Sequence, residues 1–248
     1  MALDRPDPHC HDCRAMDADL NGLFAATASF VGGHFLLSSR ALRPRLVDLL
    51  GEIGFRAAYS LAALATFVWM LTAYGAAPGI AIWVPPAAFA WVPVVVMPVA
   101  FVLAVSGLTT PSPTAVGGER VLRDAPAGPA RGILSVTRHP FLWGTTLWAL
   151  AHLSVRGDAA SMVVMGGVAV LSLVGMHHID RRREAALRSA WGPMAMTTSL
   201  APFAAIAAGR TKLDWAGIGW WRPALGVALY LAFLFGHAWI VGVPALSL

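Results

Sequence analysis

The chain has 248 residues, 57% of them hydrophobic and 12% charged, with a mean hydropathy of +0.65. A soluble domain carries roughly 25% charged residues to solvate its surface, so most of this chain cannot face water. The net charge of +5 would suit a nucleic-acid binder, but the cations sit between long apolar blocks, which excludes that partner.

Residues 1–19 read as a polar N-terminal tail without a signal-peptide pattern, and Met16 is an alternative start. Both cysteines, Cys10 and Cys13, lie in it, so no disulfide framework holds a core. The run His9-Cys10-His11-Asp12-Cys13 has metal-binding residue types. Covalent haem attachment needs a histidine directly after the second cysteine, where Arg14 stands, and structural zinc needs a second cluster downstream.

Residues 20–248 then form one transmembrane domain. Apolar stretches cover residues 21–37, 55–74, 82–106, 141–153, 159–178 and 223–243. Most approach the roughly 20 residues needed to cross the hydrocarbon; the fourth is short. The fold class is all-α, a polytopic membrane helix bundle of about six transmembrane helices. Pro85, Pro86, Pro93 and Pro98 predict a kinked or partly unwound third span. Residues 107–132 read as an irregular loop, and Trp191-Gly192-Pro193 as a break before a surface-lying or re-entrant helix over 194–208.

Arginines crowd alternate connections. Arg40, Arg43, Arg45 and Arg56 flank the first; Arg120, Arg123, Arg131 and Arg138 the third; Arg181, Arg182, Arg183, Arg188, Arg210, Lys212 and Arg222 the fifth. The second connection has none and the fourth only Arg156. The positive-inside rule places the odd connections in the cytoplasm and both termini outside, in a bacterial inner membrane.

Histidine carries the chemical signal, because ionisable groups within a bilayer are costly. His34 lies in the first span, His152 late in the fourth, His177 and His178 at the end of the fifth, and His237 in the sixth. Paired imidazoles suit haem iron. At about 1.5 Å rise per residue, His152 and His237 lie at even depth, roughly 18–21 Å from the cytoplasmic ends. His34 is an equal partner for His152 by side-chain chemistry. Arg138 and His139 precede Pro140, which suits the first turn of a helix, so their position at that N-terminus fits an anionic phosphate or carboxylate of a cofactor. Glu52 and Arg56, four apart, can pair on one helix face.

Several short runs are familiar together. His34-Phe35 with Ser38-Ser39-Arg40, Gly54-Phe55-Arg56 with Tyr59-Ser60, and Ala77-Pro78 with Trp83 and Pro85 form one block. Gly132-Ile133, Thr137-Arg138-His139-Pro140, Gly144, Leu147-Trp148-Ala149, His152-Leu153, Gly157-Asp158, Gly166-Gly167 and Asp180-Arg181-Arg182 form a second. This pattern resembles the NnrU family of bacterial membrane proteins, which includes the 15-cis-zeta-carotene isomerases, over most of the chain from Asn21 to Gly209. The resemblance implies a role in nitrogen-oxide metabolism during denitrification. Through the isomerase branch it implies haem b held by His34 and His152, and haem-dependent cis–trans isomerisation of an apolar polyene. That branch has an alternative cysteine ligand three residues before the second histidine, where this chain has Ala149, so ligand exchange of that kind is absent here. A second resemblance links Arg138-His139-Pro140 to membrane methyltransferases that use S-adenosylmethionine. Leu142 stands where those have a tyrosine, and Glu184 is present without its paired glutamate. A non-catalytic membrane partner of a reductase or sensor is the remaining alternative.

Overall fold

The computed structural model describes residues 10–114, 118, 130–243 and 245, with side chains from residue 20 onward. The His9–Cys13 cluster lies outside the described side chains. Among the described residues the secondary structure is helical, with one isolated bridge between Ala81 and Asp158 and no strand. The α-helices are α1 (Cys10–Leu37), α2 (Leu42–Ala76), α3 (Trp91–Thr109), α4 (Pro140–Val155), α5 (Ala159–Leu187), α6 (Gly192–Thr197), α7 (Ala204–Ala207), α8 (Trp215–Ile218) and α9 (Trp221–Val241). Helix α1 reaches back to Cys10, so residues 10–19 of the polar tail are helical.

Among the described residues, five segments are long and apolar enough to cross a membrane: Leu20–Leu37, Leu42–Ala76, Ala87–Thr109, Ala159–Thr197 and Trp221–Val241. The expected fourth span forms a helix, but α4 has 16 residues, short of that length. Lipid contact explains the surface of these helices. Along α2, Ile53, Leu61, Leu64, Phe67, Trp69 and Leu71 are all exposed, more apolar surface than water tolerates on one element.

The chain divides into two compact units, residues 1–85 with 156–171, and residues 86–155 with 172–248; α5 runs from the first into the second. In the first unit, α1 and α2 pack side by side around Leu23, Ala26 and Met70, joined by Ala160 and Val164 of α5. Ser39 closes the α1–α2 turn, accepting the Leu42 N–H on Oγ and the Arg43 N–H on its carbonyl. Helix α2 is broken at Gly51, whose φ of 71° favours glycine. Glu52 pins the break: it accepts from Arg56, as the spacing predicts, and from Arg43 at 2.9 Å, on the residues before the break.

The expected third span is shorter at its start than the apolar run. Residues 80–83 are extended instead, and Gly157 accepts the N–H groups of both Ile82 and Trp83 at 2.7 and 3.1 Å. A Cβ on Gly157 would fall 1.9 Å from the Trp83 carbonyl oxygen, so only glycine allows this approach. Asp158 caps α5, accepting the Ser161 N–H and hydroxyl at 2.8 and 2.9 Å. Burial alone would raise its pKa; the Ser161 bonds and the nearby Arg156 outweigh that and hold the carboxyl below its ordinary range.

In the second unit, α3 packs closely on α4 and on α9. Small residues permit it. A Cβ on Gly144 would meet the Ala100 carbonyl at 2.7 Å, and one on Gly226 would meet Val102 at 2.7 Å. Pro98 sits inside α3 without ending it. The expected helix over 194–208 is two short ones, α6 and α7, separated by a turn whose polar groups bond to the start of α4. Asp214, held below its usual carboxylate range mainly by the Gly132 and Gly217 N–H groups, ties the 132–135 turn to α8.

Candidate functional site

The segment before α4 is held on several sides. Its backbone bonds outward: the Arg138 N–H donates to Ser199 and the Phe203 N–H donates to Val136. Thr137 Oγ and the Trp143 indole N–H both donate to the Leu200 carbonyl at 2.8 Å. Thr114 adds a bond from its hydroxyl to the Arg138 carbonyl. Pro140 occupies the first position of α4, where no N–H is needed, as the sequence predicts. The two preceding side chains are thereby fixed.

His139 is 3% exposed and its Nε2 lies 2.7 Å from Asp180 Oδ1 on α5. Arg138 Nη1 lies 3.5 Å from the other oxygen of the same carboxylate, and its guanidinium rests 5.8 Å from the Trp191 ring centroid. The Arg138 Nε is buried without a hydrogen-bond partner. Burial lowers the Arg138 pKa, Asp180 opposes that, and the positive Arg210 adds to it. Arg210 itself gathers the carbonyls of Ala195, Met196 and Thr198 at the end of α6. One carboxylate thus orients an imidazole and a guanidinium together. With Nε2–H donated to Asp180, the neutral ring of His139 carries its lone pair on Nδ1, the arrangement of a carboxylate-held acid–base histidine.

Asp180 is the residue that sequence reasoning missed. The sequence shows it as part of the Asp180-Arg181-Arg182 run within the family pattern, 41 residues from His139, with no site role attached. Its role needed the packing of α5 against the start of α4.

The other expected ligands lie elsewhere. His34 is in the first unit, while His152, His237, Arg138 and His139 are in the second. His34 Nδ1 donates to the Phe30 carbonyl at 2.7 Å, and the ring meets Phe30 and Tyr59 edge-on beside a small cavity of about 30 Å³. His152 Nδ1 donates to the Trp148 carbonyl at 2.8 Å, with its ring 5.0 Å from the Trp148 ring. His237 Nδ1 donates to the Val243 carbonyl at 2.6 Å. A carbonyl can only accept, so each ring carries its proton on Nδ1 and, when neutral, its lone pair on Nε2. That is the tautomer an axial haem ligand uses, with the second nitrogen held by a backbone acceptor, so this donor chemistry fits a haem. Among the described residues no three His, Cys, Asp or Glu side chains converge as a metal site.

Apolar helices covered by lipid, together with a buried Arg–His–Asp cluster, define an all-helical membrane protein with a polar site at the end of its helices. The chain belongs to the NnrU family: residues 22–245 match it, under the description NnrU protein. Over 82 residues the chain is 37% identical to the chloroplastic 15-cis-zeta-carotene isomerase of Zea mays and, over the same length, 34% identical to that of Arabidopsis thaliana. Each match covers 33% of this chain and 22% of the relative, so the chain aligns with about a fifth of the curated proteins it matches. No solved structure matches.

Proposed function

We propose that the protein is a haem b-binding, multi-pass inner-membrane protein of the NnrU type, acting in bacterial nitrogen-oxide metabolism with both termini outside. The observation that carries the haem reading is the tautomer of His34 and His152. Each ring donates Nδ1–H to the carbonyl four residues earlier, which directs the Nε2 lone pair to the outer edge of the ring. His34 and His152 are the residues that would hold the iron, a reading that rests on the resemblance and on this shared donor chemistry, with His237 as the alternative partner of His152. Bound iron would supply a one-electron redox change within an apolar setting. Arg138 completes the reading as the group that would hold an anionic part of the cofactor or its partner, with His139 beside it and both positioned by Asp180.

The matched relatives favour a second reading, haem-dependent isomerisation of an apolar polyene that reaches the site from the bilayer. Ala149 is fully buried where the isomerase pattern has its exchangeable cysteine, which argues for a fixed ligand set in this chain.

The test is the optical spectrum of purified protein, oxidised and then dithionite-reduced. Sharp reduced bands are expected in the wild type, lost or shifted in both His34→Ala and His152→Ala. A colourless, folded protein from haem-replete cells overturns the haem reading. Incubating the reduced protein with a cis-carotenoid tests isomerisation; an unchanged carotenoid spectrum in both redox states removes that activity.

A further inference from the structure

The second unit carries a groove of about 600 Å³ lined by Leu173, Val174, His177, His178, Arg181 and Leu200. That is within the roughly 300–1,000 Å³ range of ligand sites. Five of these residues form one stripe of α5, and its chemistry is graded. Leu173 and Val174 are exposed and apolar; one turn on stand two histidines; one turn further stands Arg181, at the start of the cationic run 181–183. Eight residues of helix span roughly 12 Å. That distance takes a helix from hydrocarbon across the headgroup layer, which is about 5–8 Å deep on each side. The opposite wall is built rather than incidental, because the Leu200 carbonyl is held by both Thr137 and Trp143.

We propose that this groove binds one anionic glycerophospholipid, its phosphodiester at Arg181 and the histidines and an acyl chain along Leu173 and Val174. The charge and the apolar floor select this occupant together. A free phosphate would gain nothing from the leucine and valine, and a zwitterionic lipid would bring its own cation to Arg181. The gradient along the stripe matches the order of groups in a lipid.

Native mass spectrometry of the full chain in detergent, with equimolar phosphatidylglycerol and phosphatidylcholine, tests this. Phosphatidylglycerol should be retained about five-fold over phosphatidylcholine, the scale of one cation at a membrane surface. Arg181→Gln should bring the ratio close to one, and Arg181→Lys should keep it. Leu173→Trp should lower retention of both lipids, while Arg45→Gln, on the first unit, should change nothing. Equal retention in the wild type, a ratio indifferent to Arg181→Gln, or displacement of the lipid by an equal concentration of inorganic phosphate would each overturn the proposal.

Discussion

Asp180 takes the Nε2 of His139 on one oxygen and the guanidinium of Arg138 on the other, both from a largely buried position. Removing a charge from such a cluster leaves its partner buried without a counter-ion, which costs more than the pair contributes when intact. Asp180→Asn should therefore lower stability by about 3 kcal/mol, near the lower end for breaking a buried pair, because Asp180 keeps some solvent contact. Adding Arg138→Gln should recover part of the loss. Denaturant titration of the single and double variants in detergent checks this, and strictly additive losses would mean that the two residues are not coupled. The histidines show a different residue-scale rule. Their positions were readable from composition, since an imidazole inside an apolar block stands out. Their tautomers were not, because the proton follows the nearest carbonyl, and that depends on side-chain rotamer.

At the scale of elements, glycine and proline decide where helices stop. The prolines at 85 and 86 predict kinks within a span, yet the chain just ahead of them is non-helical, with the Ile82 and Trp83 N–H groups bonded to the Gly157 carbonyl. The reason is local: proline disfavours a helical residue before it, and a nearby glycine carbonyl offers the freed N–H groups a partner. Pro98 differs because it lies inside a helix already packed against neighbours. Gly157→Ala should separate this contact, since its Cβ cannot share space with the Trp83 oxygen. A loss of about 1–3 kcal/mol is expected, as for other overpacked sites, read as a lower Tm in detergent. An unchanged Tm would show that the 80–83 segment moves away freely. The break at Gly51 was equally hidden, because the residues around it suit a helix. Only the positive φ and the Arg43–Glu52 bond reveal two helical pieces.

On the scale of the whole molecule, the alternation of arginine-rich and arginine-free connections predicts both ends outside the cytoplasm. A C-terminal alkaline phosphatase fusion should be active and a C-terminal green fluorescent protein fusion dark. The reverse pattern would put the C-terminus inside; with the N-terminus outside that means an odd number of spans, and α4 is the first candidate to lie short of crossing, given its 16 residues. The class of the protein, its helical content and its candidate histidines were legible from the sequence alone, because hydrophobic length and charge placement act residue by residue. The same holds for Pro140 at the start of α4 and for the Glu52–Arg56 pair, which depend only on local spacing. What the tertiary structure decided is which distant groups meet: Asp180 with His139 and Arg138, Gly157 with Trp83, Arg43 with Glu52 across the break, and the graded stripe of α5 beside Leu200. Burial makes such pairings strong, and burial is set by how helices pack, which no stretch of the chain encodes by itself.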